Sequence, residues 1–308
     1  MMTTTTQLPF EAYRSLIRLD KPFKADDPRT EAENDTDIII DELLTFLKSE
    51  LPYPSFPVDG VRDRRRAIQA LLTMRRPDPL PDRLHAKLDR LLQKELQKKK
   101  ITDAQSLPRI RQVFAQTVPP AVGHCSLWQG DITTLKADAI VNAANSTLLG
   151  CFTPFHGCID NVIHAAAGPR LREDCHAIMV AQGHPEDTGR AKITRGYNLP
   201  SRHVLHTVGP IFESSDNGPS QKQKEQLAAC YVSCLDLASR AGRIQSIAFC
   251  AISTGVFAFP PVTAARIALD TVARWLERNP GRMDLVVFNV FSDLDRQIYE
   301  KLLLRKEP

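Results

Sequence analysis

The 308-residue sequence lacks the hydrophobic segments that direct a protein into or across a membrane. No apolar run approaches the roughly 18 residues that would predict a membrane-spanning helix. The N-terminal segment has no basic leader followed by an apolar core, so a secretory signal is not predicted. The sequence therefore indicates a cytoplasmic protein without a membrane partner.

Cysteine is scarce and odd in number, with seven residues in the chain. In a reducing compartment, thiols persist as free groups or metal ligands more often than as disulfides. A disulfide framework is therefore not expected. Any functional cysteine is expected to act as a thiol or as a metal ligand.

The net charge of +4 hides an asymmetry along the chain. Residues 1–60 hold 6 basic and 12 acidic side chains, whereas residues 61–112 hold 15 basic and 6 acidic ones. Such a basic stretch can mark a nucleic-acid partner. Aromatic residues make up only 6% of the chain and none stands within 61–112, so the stacking groups of a single-strand binder are missing there. We interpret the basic stretch as one surface of a helical module and expect no nucleic-acid partner.

The N-terminal third of the chain has helical periodicity and no strand pattern. Residues 1–36 are polar and acidic and are predicted to be a flexible segment. Apolar residues at helical spacing then predict helices over 37–50, 61–76 and 82–100, separated by proline-rich breaks. Residues 37–118 are therefore predicted to form a small all-helical module.

Near Pro119 the pattern changes to short apolar runs that alternate with helical ones. This alternation predicts an α/β domain over residues 119–308, with a mostly parallel sheet covered by helices on both faces. The predicted strands are Ser126–Gln129, Ala139–Ala143, His203–Val208, Ile247–Ile252 and Leu285–Val290, and the predicted helices span 159–182, 222–242, 262–278 and 293–304.

Polar and small residues follow three of the predicted strands. Ser253–Phe257 joins a strand to a helix, where exposed backbone N–H groups and the helix dipole favour phosphate. Asn142 and Asn145 end another strand, at the edge where open α/β sheets bind ligands. Both features could also be structural, the first as an ordinary turn and the asparagines as turn caps. Asp131, after the first strand, could accept a hydrogen bond from an exocyclic amine or act as a helix N-cap.

The segment CFTPFHGC brings the thiols of Cys151 and Cys158 and the imidazole of His156 close together in the chain. Cysteine and histidine are ligands that Zn²⁺ prefers, and three protein ligands with an open fourth position describe a catalytic zinc. The alternatives are a disulfide between the two cysteines or two unremarkable thiols. The remaining cysteines show no such cluster.

Four stretches occur in order from residue 130 onward: GDITTLKADAIVNAANSTLLG, CIDNVIHAAAGPRL, TGRAKITRGYNLPSRHVLHTVGP and AISTGVFAFP. Together they resemble the macrodomain family, whose members bind ADP-ribose. The insertion CFTPFHGC and the helical N-terminal extension resemble the zinc-dependent macrodomains of bacteria and fungi. The resemblance implies a three-layer α/β/α macrodomain with a mixed, mostly parallel sheet and a bound Zn²⁺, preceded by the helical module.

The resemblance also implies roles for the residues of these motifs. Asp131, with the Ile132 backbone beside it, would bind the adenine amino group, and Asn142 and Asn145 would hold the distal ribose. Ala258 departs from the family, in which glycine is frequent at this position. The residues that would wrap the diphosphate through backbone amides are Ser253, Thr254, Gly255, Val256 and Phe257, the last of them also near the distal ribose.

By the same resemblance, Cys151, His156 and Cys158 are the zinc ligands, and Asp160 falls where hydrolytic members carry an acidic residue. Asp160 and Asn145 are therefore the candidate catalytic residues. Asp160 is expected to act as a general base, provided that it lies within hydrogen-bond reach of water or substrate.

Three functions fit this resemblance. The first is a zinc-dependent hydrolase that removes mono-ADP-ribose from protein side chains, O-linked through serine or acidic residues. The second is a non-catalytic reader that binds ADP-ribose on modified proteins, and the third is a deacetylase of O-acetyl-ADP-ribose. We expect the first, in a monomer whose partners are ADP-ribose and mono-ADP-ribosylated proteins. The helical module is expected either to shape the substrate entrance or to offer its basic helix to an acidic protein.

Overall fold

The structure, a computed structural model, describes residues 7–25, 35–51, 63–114, 120–213 and 217–304. Residues 52–58 of the proline-rich break predicted over 51–58, and the predicted boundary residue Pro119, lie outside the described residues. In the described ranges the helices are α1 (Phe10–Arg14), α2 (Asp35–Glu50), α3 (Arg64–Met74), α4 (Asp82–Gln97), α5 (Ile110–Val113), α6 (Pro120–Gly123), α7 (Ile159–Ala167), α8 (Pro169–Gln182), α9 (Gln221–Ala241), α10 (Pro261–Arg278) and α11 (Asp293–Leu303). The strands are β1 (Thr102–Asp103), β2 (Ser126–Gln129), β3 (Leu135–Lys136), β4 (Ala139–Ala144), β5 (Ala191–Arg195), β6 (His203–Val208), β7 (Ser246–Phe249) and β8 (Leu285–Val290).

A six-stranded sheet forms the centre of the C-terminal part, in the order β2–β8–β7–β4–β6–β5. Every neighbouring pair is parallel except β5, which runs antiparallel to β6 at one edge. Helices α7 and α8 pack against β4 and β5, whereas α9 packs against β5 and β6 and is followed in its layer by α10 and α11. The predicted three-layer α/β/α fold with a mixed, mostly parallel sheet is therefore confirmed.

Three of the five predicted strands have the predicted bounds, and β7 is shorter, ending at Phe249 rather than Ile252. Sequence reasoning missed β5 altogether. This strand contains Lys192, a residue type that rarely lies in a sheet interior. The Lys192 side chain is only 1% exposed because its ammonium pairs with the equally buried carboxylate of Glu186.

The helix predicted over 159–182 is two helices, α7 and α8. Gly168 breaks it with φ +88°, a backbone conformation that favours glycine. Pro169 then begins α8 at a position where its missing N–H costs nothing. None of the helices in the described ranges is long and apolar enough to cross a membrane.

The described residues contain two large hydrophobic cores and a small third cluster, which consists of Ala144, Leu148, Cys175 and Val208. The first joins α2, α3 and α4 and ends at Leu92. The second surrounds the large sheet and already includes Ala104 and Ile110. The change of core therefore falls between Leu92 and Ala104, upstream of the boundary predicted near Pro119.

The segment before the helical module packs against the large sheet. Phe10, Tyr13 and Ile17 lie at helical spacing and are buried in the second core. The backbone N–H of Ile193, on the edge strand β5, donates to the Tyr13 hydroxyl at 3.2 Å. Contrary to the prediction of a flexible N-terminal segment, residues 7–25 are packed, because this apolar stripe covers an otherwise open sheet edge.

Candidate active site

A cleft of about 740 Å³ opens at the carboxyl ends of the parallel strands. Three groups of predicted site residues meet in its wall. Asp131 and Ile132 follow β2, residues 253–257 follow β7, and His156 with Cys158 comes from the CFTPFHGC segment. The parallel sheet therefore brings together motifs that are more than 100 residues apart in the chain.

The turn after β7 has the geometry of an anion site. Two backbone hydrogen bonds of 2.9 Å close it, from the Ala258 N–H to the Gly255 carbonyl and from the Phe259 N–H to the Ser253 carbonyl. In the described part of the chain, the amides of residues 254–257 donate to no acceptor. Successive free N–H groups in a turn form a concave site for phosphate, as the sequence predicts.

The same turn is sterically constrained. Ser253 and Ala258 have φ of 65° and 53°, in the left-handed region that costs a non-glycine residue about 1–2 kcal/mol. This geometry explains why glycine suits position 258.

Beneath the turn, a Cβ added to Gly209 would fall 2.0 Å from the Ser253 Oγ. The end of β6 and the turn are thus packed too closely for a side chain at Gly209.

Asp131 fulfils one of its two predicted roles directly. Its Oδ1 accepts hydrogen bonds from the Thr133 N–H at 2.9 Å and the Thr133 hydroxyl at 2.7 Å, and so caps the 3-10 turn Ile132–Thr134. Its Oδ2 lies 3.9 Å from the Lys99 Nζ, and the side chain is 40% exposed. The N-cap interpretation is therefore confirmed for one oxygen, and the other stays in the cleft wall, where it can accept a hydrogen bond.

Asn145 holds its own turn together. Its Oδ1 accepts hydrogen bonds from the N–H and the hydroxyl of Thr147, at 3.0 and 2.7 Å, and its Nδ2 donates to the Gly150 carbonyl at 3.0 Å. These bonds use both ends of the amide within the loop that leads to the metal-ligand candidates. The structural alternative therefore describes Asn145 here, and its contact with a ribose stays a prediction.

Asn142 lies inside the protein rather than in the cleft wall. Its side chain is fully buried, and its Nδ2 donates to the Asp160 Oδ1 at 2.7 Å. The alternation of side chains along β4 turns Asn142 toward α7, which the spacing of the motif could not reveal. In this structure Asn142 therefore supports Asp160, and its contact with a ribose stays a prediction.

Asp160 lies just behind the cleft wall, in the first turn of α7, and is 5% exposed. Burial raises the pKa of its carboxyl to about 6, although the hydrogen bond from Asn142 acts to lower it. The group is therefore largely ionised at neutral pH but shielded from solvent. Its role as a general base stays a prediction, since the residues that line the cleft at this point are Cys158 and Ile159.

The three candidate metal ligands converge. The Sγ atoms of Cys151 and Cys158 and a ring nitrogen of His156 all lie within 4.8 Å of one another. Asn161 holds the segment by donating from its Nδ2 to the carbonyls of Thr153, at 3.2 Å, and His156, at 2.9 Å. Both cysteines are free thiols, so the disulfide alternative does not describe this structure.

The donor set of this segment fits zinc. Cys158 is the N-cap of α7, and its Sγ accepts a hydrogen bond from the Asn161 N–H at 3.4 Å. Burial, reinforced by the neighbouring Cys151, raises the pKa of the Cys158 thiol to about 11. Thiolates and imidazole are ordinary zinc ligands, and metal binding to a protonated thiol releases its proton.

This chain is similar to proteins that are already known. The Macro domain family model matches residues 141–268. The chain is 43% identical over 263 residues to a protein-ADP-ribose hydrolase of Treponema medium, covering 85% of this chain and 96% of the relative. It is 45% identical over 237 residues to a protein-ADP-ribose hydrolase of Staphylococcus aureus strain MRSA252, covering 77% of this chain and 84% of the relative.

Solved structures are similar as well. The Trypanosoma brucei macrodomain in complex with ADP-ribose matches with a TM-score of 0.57 and 31% identity, covering 79% of this chain and 97% of that one. The Oceanobacillus iheyensis macrodomain with ADP matches with a TM-score of 0.51 and 40% identity, covering 59% of this chain and 92% of that one. The chain belongs to the Macro domain family.

A second group of metal-type ligands lies buried inside this macrodomain. His164, Cys175 and His206 also place one ligand atom each within 4.8 Å of the others. His206, however, uses both ring nitrogens, through Nδ1 with the Asn142 Nδ2 at 3.2 Å and through Nε2 with the Thr194 hydroxyl at 3.0 Å. Since Asn142 can only donate here, Nδ1 accepts and Nε2 carries the proton. His206 is therefore best described as a hydrogen-bonded support that reaches Asp160 through Asn142, whereas the His164 Nε2 lies 3.5 Å from the Asp160 Oδ1 directly.

Sequence reasoning missed several residues of the macrodomain cleft, two of which lie in β8 or directly after it. Asn289, in β8, donates from its Nδ2 to the Gly130 carbonyl at 2.9 Å and so fixes the turn that carries Asp131. Phe291, immediately after β8, lines the cleft with a side chain that is 78% exposed. The rule that pointed to the ends of the other parallel strands applies equally to β8, so the signal was present in the sequence.

Proposed function

We propose that this macrodomain is a zinc-dependent hydrolase that removes mono-ADP-ribose from serine or acidic side chains of proteins. The observation that carries the proposal is the convergence of Cys151, His156 and Cys158, two of which line the same cleft as the anion-type turn and Asp131. The relatives that carry the name protein-ADP-ribose hydrolase support the reaction. The similar macrodomain in complex with ADP-ribose supports the ligand.

The cleft residues offer complementary groups to the parts of ADP-ribose. The Asp131 Oδ2 would accept a hydrogen bond from the adenine amino group, and the exposed Phe291 ring would lie against the base. The free amides of residues 254–257 would hold the diphosphate. This orientation brings the distal ribose toward the CFTPFHGC segment, and fixed orientation alone can lower a barrier by several kcal/mol.

Hydrolysis at the anomeric carbon adds the hydroxyl of a water molecule to that carbon and a proton to the departing side-chain oxygen. Positive charge develops on the ribose and negative charge on the leaving oxygen. Zinc, when held by Cys151, His156 and Cys158, would supply a Lewis acid for an oxygen of the substrate. The buried carboxylate of Asp160 would stabilise the positive charge from behind the wall, where low dielectric strengthens the interaction.

A second candidate function is a non-catalytic reader of ADP-ribosylated proteins. One observation favours it, namely that Asp160 and Asn145 both form hydrogen bonds with other residues of the chain and do not line the cleft. The deacetylase of O-acetyl-ADP-ribose would use the same cleft, so the substrates themselves must distinguish it.

The experiment compares the wild type with Cys158→Ala, and with Cys234→Ala on α9 as a matched cysteine control. Release of ADP-ribose is measured from serine-linked and acid-linked protein substrates, and release of acetate from O-acetyl-ADP-ribose. We expect release of ADP-ribose to be lost in Cys158→Ala and kept in the control. Undiminished release in Cys158→Ala would refute the role of the metal ligands. Binding without turnover in the wild type would establish the reader, and turnover of the acetylated compound alone would establish the deacetylase.

A further inference from the structure

The helical module is joined to the CFTPFHGC segment by one buried guanidinium. Arg172, on α8, is 7% exposed, and its Nη2 donates to the Cys151 carbonyl at 3.4 Å. Its Nη1 donates to three carbonyls at the end of α3, those of Leu72 at 2.9 Å, Thr73 at 3.1 Å and Arg75 at 2.9 Å. One side chain therefore connects the last turn of a module helix to the first candidate metal ligand.

The hydrogen bonds of Arg172 can hold the end of α3 and the Cys151 carbonyl in a fixed arrangement. The last carbonyls of a helix have no partner within the helix and carry partial negative charge. Burial lowers the pKa of Arg172 to about 10, so the guanidinium remains a cation at neutral pH. Its planar set of donors then holds α3 and the Cys151 carbonyl in one arrangement.

Two aromatic contacts extend the connection along the segment. The Arg172 guanidinium lies 4.6 Å from the centre of the Phe152 ring, and that of Arg66, on α3, lies 4.6 Å from the Phe155 ring. Phe155 has φ +59°, which a bulky side chain rarely adopts. The contact with Arg66 therefore helps to hold a backbone conformation that the segment would not favour alone.

We propose that the helical module positions the metal-ligand segment, with Arg66 and Arg172 as the positioning residues. The module thereby preorganises the three ligand atoms before a metal binds, and a preorganised site loses less free energy to ordering on binding. The identity of the metal rests on the proposed function, whereas the positioning of residues 151–158 by α3 and α8 does not.

The test uses three variants of the full chain. Arg66→Ala removes the cation above Phe155, and Arg172→Lys keeps the charge but removes the planar donor set. Arg64→Ala is the matched control, since Arg64 is an exposed residue of the same helix that pairs with Asp37 and Asp41 inside the module. Amide hydrogen exchange of the segment is measured in the metal-free protein, and zinc affinity is measured by competition with a chromogenic chelator.

We expect Arg66→Ala to speed amide exchange in the segment and to weaken zinc binding about two- to fivefold. This factor corresponds to the loss of one cation–π contact at an exposed site. Arg172→Lys should have the larger effect on both, and Arg64→Ala should match the wild type. Circular dichroism checks that each variant is folded. If Arg172→Lys does not fold, the result for Arg66→Ala alone decides the test.

Segment exchange in Arg66→Ala equal to that in Arg64→Ala would overturn the inference, whatever the activity. If the wild type takes up no zinc but the segment responds to Arg66→Ala, the zinc role in the proposed function fails and the positioning stands. If zinc binds normally and neither exchange nor affinity responds, the positioning fails and the proposed function stands.

Discussion

The buried His206 should make the stability of this protein depend on pH in a way that one substitution removes. Its ring is fully buried, and burial lowers its pKa to about 3. In the unfolded chain the pKa returns to about 6.5. Between these values the unfolded state binds the proton and the folded state does not, so the contribution of His206 favours unfolding as the pH falls below about 6.5.

The magnitude follows from the two pKa values. Lowering the pH from 7 to 5 protonates the unfolded histidine almost completely and leaves the folded one neutral. The resulting loss of stability from His206 alone is about 2 kcal/mol. Asp160 and Asp174 act in the opposite direction, because burial raises both pKa values to about 6 and acidification stabilises the folded state there. The wild type must therefore be compared with a variant.

His206→Asn removes the titrating ring and keeps an acceptor for the Asn142 amide. Urea unfolding of the metal-free proteins is followed by circular dichroism at pH 7 and at pH 5. We expect the wild type to lose about 2 kcal/mol more than the variant over this interval, even though the variant is less stable at pH 7. The same change with pH in both proteins would refute the assignment of a buried, neutral imidazole at this position.

Three further substitutions test other parts of the structure. Gly209→Ala should lower the free energy of unfolding in urea by about 1–3 kcal/mol and weaken ADP-ribose binding, because its Cβ would displace the Ser253 side chain. A variant with the stability and affinity of the wild type would contradict this close packing. Tyr13→Phe leaves the Ile193 N–H without its acceptor and should lower the free energy of unfolding by about 1–3 kcal/mol. Unchanged stability would show that the N-terminal segment does not cover the sheet edge. Asp131→Asn keeps the N-cap acceptor but removes the charge and should weaken ADP-ribose binding roughly tenfold in calorimetry; equal affinity would exclude the adenine contact.

Much of the fold could be predicted because parallel strands buried on both faces are continuous apolar runs. In the six-stranded sheet the exception is β5, whose buried Lys192 is tolerated only through a partner, Glu186, that no local pattern reveals. The packed N-terminal segment was missed for a different reason. Its apolar stripe is short, and whether it folds depends on the sheet edge that it covers, far away in the sequence.

The candidate site could be predicted as a set of loops but not as a set of contacts. Loop position follows from topology, which is why Asp131 and residues 253–257 meet in one cleft. The direction of a side chain at a strand end depends on one residue of register, and Asn142 consequently points to Asp160 rather than to the cleft. Contacts from the helical module to the metal-ligand segment, such as that of Arg66 with the Phe155 ring, require tertiary structure and leave no signal in spacing.

Turnover by this macrodomain is proposed to require zinc on Cys151, His156 and Cys158. The most direct measurement titrates zinc into the metal-free chain and records, at each occupancy, the rate of ADP-ribose release from a serine-linked protein substrate. We expect a rate that rises in proportion to occupancy and reaches its plateau at a single zinc per chain. A metal-free protein that releases ADP-ribose as fast as the zinc-loaded one would contradict it.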